Sequence, residues 1–119
     1  MAKIPYGTYD VTIENLMLKK KEETGKPVVS CDMEIAAGKF KGKHFSVEQA
    51  VTNGFQIYRV NAFLRALCAE MGAAVKVEFK TYPQYCDLLF DIYYAFEGRS
   101  CRMLFSDKGY EVAGRVLCP

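Results

Sequence analysis

The sequence predicts a mainly β domain with two helices, an α+β chain of 119 residues closing as a single five-stranded Greek-key barrel over 1–119. Three observations predict it. Residues 6–52 hold three runs of alternating apolar and polar side chains, separated by two lysine-rich turns. Two stretches, at about 54–71 and 82–97, space their apolar residues as helices do. The chain then finishes, at about 99–117, with two short apolar runs around a glycine turn. A meander, a helical excursion and a closing hairpin together have the strand count of that barrel.

In the first strand Tyr9, Val11 and Ile13 alternate with Asp10, Thr12 and Glu14. The parity slips at Glu14-Asn15, because the next apolar residues are Leu16 and Leu18. Such a slip predicts a β-bulge, the device that bends a strand so that it serves both sides of a barrel, with Leu16, Met17 and Leu18 buried where it turns. Lys19 to Pro27 is a polar turn: Gly25 supplies positive φ, and Pro27 is tolerated only at a strand's start. In the second strand Val29, Cys31, Met33 and Ile35 face in, with Ser30, Asp32 and Glu34 out. Ala37 to Lys43 turns the chain again, and in the third strand Phe45, Val47 and Val51 oppose His44, Ser46 and Glu48.

Asn53 is a helix cap, and Ile57, Val60, Leu64, Leu67 and Met71 form one apolar stripe that ends at Gly72. Gln56, Arg59 and Arg65 fall on the wet side. Val75, Val77 and Phe79 alternate with Lys76 and Glu78, as in a short edge strand or an extended link. Thr81-Tyr82-Pro83-Gln84 matches a capping box with proline in the first turn. Tyr85, Leu88, Leu89, Ile92 and Phe96 make the second stripe, stopped by Gly98. Ser100 to Ser106, the turn Asp107-Lys108-Gly109, and Tyr110 to Leu117 complete the hairpin.

Composition bounds the function. Half of the residues are apolar, so the chain can bury a core, and no apolar run nears the ~20 residues of a membrane helix. With no signal-peptide pattern, the expected location is the cytoplasm. The five cysteines, Cys31, Cys68, Cys86, Cys101 and Cys118, are widely spaced in apolar contexts, as buried or half-buried thiols of a reducing compartment are. No zinc spacing, phosphate loop, dinucleotide fingerprint or acidic pair at metal spacing occurs, and His44 stands alone. The expectation is a protein that is not an enzyme and takes no cofactor or metal.

A set of ordered motifs carries a resemblance. Ile4-Pro5-Tyr6-Gly7-Thr8-Tyr9-Asp10-Val11, Thr24-Gly25-Lys26-Pro27, Gly38-Lys39-Phe40-Lys41-Gly42-Lys43 and Gly54-Phe55-Gln56-Ile57-Tyr58-Arg59-Val60-Asn61-Ala62-Phe63-Leu64-Arg65 resemble the phage-encoded single-stranded-DNA-binding proteins over roughly the first 70 residues, and Lys108-Gly109-Tyr110 is similar too. The resemblance implies an OB-fold protein that coats single strands in replication and recombination. It further implies a homo-oligomer, a dimer first, working beside phage recombinase or replication proteins. The final residues, Arg115 to Pro119, are not acidic, so recruitment through an acidic tail is not expected.

Binding an unpaired strand without sequence preference requires cations along the phosphates and aromatic faces under the bases. Net charge is only +2, but the lysines gather at turn tips: Lys19, Lys20, Lys21 and Lys26 at one, Lys39, Lys41 and Lys43 at the other, and Lys108 in the last turn. Phe40, Tyr58 and Tyr110 are the candidate stacking rings, and Arg102 completes the expected site. Against it stands a row of outward carboxylates, Asp10, Glu14, Asp32, Glu34 and Glu48. With barrel neighbours ordered 1-2-3-5-4, Arg102 beside strand one and Arg115 beside strand three would pair with these acids. The loops are therefore favoured over the sheet face. The same acids keep open a second function, an OB module for protein interaction, a phage inhibitor or recombination accessory that docks a basic partner.

Overall fold

The computed structural model describes residues 4–117. Five elements follow the predicted order: β1 (Gly7–Lys20), β2 (Pro27–Ile35), β3 (His44–Ala50), α1 (Gly54–Met71) and α2 (Tyr82–Ala95). The end of the chain forms three further strands, β4 (Cys101–Ser106), β5 (Gly109–Val112) and β6 (Arg115–Leu117). All described pairings are antiparallel, in one sheet ordered β3-β2-β1-β4-β5-β6.

This corrects the closed five-stranded barrel. The sheet has six strands and is open, and Arg115 pairs with Val112 of β5 rather than lying beside β3. The reason is a turn at Ala113-Gly114, both at positive φ (49° and 80°), as a two-residue hairpin of the primed type requires. It folds Tyr110 to Leu117 back on itself. Edge strand β3 still approaches β5 through side chains, since the Phe45 ring stacks on Tyr110 with centroids 5.2 Å apart.

The bulge is where the parity slip put it. Ile13 pairs with Met33 and Asn15 with Asp32, which leaves Glu14 as the extra residue. Beyond it Leu16 is buried and Leu18 half-buried, but Met17 turns outward and is 42% exposed.

Both helices start with the same device. The side chain of Asn53 accepts from the Gln56 backbone, and Gln56 in turn accepts from the Thr52 N–H; Thr81 and Gln84 repeat the arrangement, with the Lys80 N–H closing it. The chain from 73 to 79 makes no ladder within the chain, so of the two expectations it is the link and not the edge strand. Arg99 reaches from beyond α2 to donate to the Met71 and Gly72 carbonyls at the end of α1, 2.6 and 2.8 Å away. Val60, Phe63, Leu64 and Leu67 of α1, with Tyr85, Leu89 and Ile92 of α2, are buried with Val11, Met33, Ile35 and Met103 of the sheet in one core. No helix among the described residues is long and apolar enough to cross a membrane.

Candidate nucleic-acid interface

The outer face of the sheet is a charge mosaic. Cross-strand register sets Asp10 opposite Arg102, Asp32 opposite Ser46 and Glu34 opposite His44. Arg102 Nε lies 3.5 Å from Asp10 Oδ1, Lys19 Nζ 2.8 Å from Glu48 Oε2, and His44 Nδ1 2.9 Å from Glu14 Oε1. Ser46 donates to Asp32 at 2.6 Å. The hydrogen bond and charge of Glu48 raise the Lys19 pKa, and those of Lys19 lower the Glu48 pKa. Pairs this exposed add little to stability. They do commit Lys19 and Arg102, two of the predicted site residues, to neighbouring carboxylates.

The two lysine turns lie at opposite ends of β2. In the first, Gly25 at φ 67° lets its N–H donate to the Lys21 carbonyl at 2.7 Å, leaving Lys20, Lys21 and Lys26 exposed. In the second, Ile35 and Gly42 close the loop, with Gly42 N donating to Ile35 O and Ile35 N to Lys43 O, both at 2.9 Å. Lys39, Lys41 and Lys43 project from it, exposed and without an ion pair among the described residues. Phe40 is half-buried, its ring edge-on to Tyr9 at 6.0 Å with Lys39 Nζ 5.8 Å from its centroid, so it packs on β1 more than its glycine-rich surroundings suggest.

Sheet register brings the second lysine turn and Lys108 to the same half of the molecule. Gly7 to Val11 pairs with Phe105 to Cys101, so the β4–β5 turn carrying Lys108 lies at the start of β1, the half that Phe40 also touches. A line of rings crosses this end: Tyr6 on Phe105 at 5.1 Å, Phe105 on Tyr110 at 5.1 Å, and Tyr110 on Phe45 at 5.2 Å. Tyr110 is only 7% exposed, and burial raises its phenol pKa. It holds the middle of the line rather than offering a free face; Tyr6 is exposed, and Phe105 and Phe45 half-exposed.

A separate cleft opens between α1 and the β5–β6 turn. Its two lobes, of about 290 and 220 Å³, share Tyr58, Ala62 and Arg115; Arg65 lines the larger and Arg59 the smaller. Arg65 is anchored by donating to the Val77 carbonyl at 2.8 Å. No carboxylate of the described residues lines either lobe. The sequence reading gave Arg59 and Arg65 to solvent and Arg115 to an acid on β3, and so missed their convergence. A signal was present, because Tyr58, Ala62 and Arg65 stand at i, i+4 and i+7, one face of a helix.

Residues suited to catalysis assemble weakly. His44, isolated in the chain, is brought by cross-strand pairing against Glu14 and Glu34, with ligand atoms of all three within 4.8 Å of one another on an open surface. The residues next to His44 in the chain carry no sign of these carboxylates, which reach it only across strands. Burial pushes the Cys31 thiol up to about 12 and Cys101 up to about 11, and it raises Cys68, so none of these is a ready thiolate. Cys86 is exposed, contrary to its expected burial, and Cys118 lies outside the described residues.

This fold and surface belong to a small α+β domain with cationic loops. The chain is a member of the family described as "Protein of unknown function (DUF669)", which matches residues 1–90. No curated protein and no solved structure matches it.

Proposed function

We propose that this chain binds single-stranded DNA without sequence preference, coating it during replication and recombination as the phage proteins it resembles do. The observation that carries the reading is the convergence at one end of the sheet. Lys39, Lys41, Lys43 and Lys108 lie in the half of the molecule that a line of rings crosses, and Tyr6, Phe105 and Phe45 of that line keep accessible surface. Cations beside aromatic faces are what an unpaired strand needs, and stacking on them is indifferent to sequence. The strand order β3-β2-β1-β4-β5 also suits an OB-like sheet, with the Phe45 ring of β3 stacked on Tyr110 of β5. A protein-docking role for the acidic face draws less support, because Arg102, Lys19 and His44 answer Asp10, Glu48 and Glu14 within the chain.

The test is retardation of labelled oligo-dT by the purified protein at two salt concentrations. Binding that weakens with salt is expected, and no shift at micromolar protein in low salt refutes the reading. Light scattering reports whether the bound species is the expected dimer.

A further inference from the structure

We infer that the cleft between α1 and the β5–β6 turn is a nucleotide subsite for a passing single strand, with Tyr58 as the base platform and Arg115 as a phosphate contact. The inference rests on the single-strand reading above and adds a second contact surface, apart from the lysine loops.

The argument begins with exposed rings. Six large aromatic side chains are prominent on the described surface: Tyr6, Phe55, Tyr58, Tyr82, Phe90 and Tyr94. Tyr6 already meets Phe105 edge-on, Tyr82 is held by its hydroxyl on the Val51 carbonyl, and Phe90 and Tyr94 lean on each other. Tyr58 is 61% exposed, stacks on no other ring among the described residues, and lines a cleft with three arginines. Phe55 is as open, but it lines neither lobe of that cleft.

The electrostatics select the ligand. Guanidinium groups recognise phosphate oxygens through paired donors and also stack on planar rings. Two other openings among the described residues carry acids: Glu97 lines one, and Glu78, Asp87 and Asp91 the second. Among these openings, and counting the described residues, the α1–β6 cleft alone combines cations with an aromatic face and no acid. Beside Val116 and the arginines its lining is small, Ala62, Ala66, Ala113 and Gly114, which leaves space next to the Tyr58 ring for a planar base. The lobes are at or below the small end of ligand pockets and open to solvent, which fits one unit of a strand better than an enclosed free cofactor.

The test uses the full chain and a fluorescent oligo-dT, read by anisotropy over a salt series. Tyr58→Ala should weaken binding roughly five- to a hundredfold at fixed salt, while Tyr58→Phe, which keeps the ring, should stay within about twofold. Arg115→Ala should lower the slope of log K against log salt by about 0.7. Photocrosslinking of the native protein to an iodouracil oligonucleotide should place adducts on the peptide containing Tyr58, a readout that no folding defect can mimic. If native protein binds while both alanine variants match it and adducts map only to 36–43 and 107–110, the subsite is refuted and single-strand binding stands. If native protein does not bind, both fall together.

Discussion

Replacing Lys39, Lys41 and Lys43 together by alanine tests the lysine-loop interface most directly. The loop is held by backbone bonds between Ile35, Gly42 and Lys43, with Gly38 and Gly42 at positive φ (86° and 90°), so its shape does not depend on the three side chains removed. None of the three is in an ion pair among the described residues, and each charge is available to displace a counterion. Single strands release about 0.7 counterion per phosphate neutralised, so three contacts should lower the salt slope by about 2. Between 50 and 200 mM salt the native protein should therefore lose about twentyfold more affinity than the variant. The triple change Lys19, Lys20 and Lys21 to alanine supplies the contrast. Lys19 is already paired with Glu48 at 2.8 Å, so only two free charges go, and the slope should fall by about 1.4 at most. Anisotropy of a labelled oligo-dT across a salt series measures both. An unchanged slope for the 39/41/43 variant, or a larger drop for the 19/20/21 variant, would refute the assignment of the strand to that end of the sheet.

Three further outcomes test the fold. The Tyr85 hydroxyl is buried with no partner among the described residues while its ring stacks on Phe79 at 3.8 Å, so Tyr85→Phe should raise stability by about 1 kcal/mol in urea unfolding; a clear loss would mean that the hydroxyl has a partner. Ala113 sits at φ 49°, which costs an L residue about 1–2 kcal/mol, and Ala113→Asn, giving the Asn-Gly pair favoured in such turns, should recover about 1 kcal/mol, read as a raised thermal midpoint. Burial raises Cys31 to about 12 and Cys101 to about 11, above the ordinary thiol. The unfolded chain therefore ionises first, and stability should fall as pH rises from about 9, by up to about 1.4 kcal/mol per pH unit for each thiol. Cys31→Ala should flatten that alkaline slope in melts between about pH 8 and 10.5; an identical slope would show that the thiol does not ionise on unfolding.

The meander was legible because each of its strands has one buried face, and a period of two is then forced on the side chains. The bulge at Glu14 was legible for the same reason, as a break in that period. Six strands rather than five were not, since Ala113-Gly114 is weak turn chemistry beside Asn-Gly, and only the coordinates show Ala113 accepting positive φ. Sites built across strands or between elements were equally hidden. His44 lies 30 residues along the chain from Glu14, and Arg115 is farther still from Tyr58. What joins them is sheet register in the first case and the return of β6 against α1 in the second.

The charges nonetheless follow a rule that sequence and structure share. Carboxylates occur mid-strand on the outer face, where cross-strand neighbours answer them, whereas Lys39, Lys41 and Lys43 sit in a turn without an ion pair among the described residues. A polyanion crossing the sheet would have to break pairs such as Lys19–Glu48 and desolvate the acids left behind, whereas one running along the turns meets cations with nothing to give up. With a net charge of only +2 the chain cannot attract DNA as a whole, so affinity depends on that segregation. Moving one carboxylate into the lysine turn should therefore cost more binding than adding one to the already paired face.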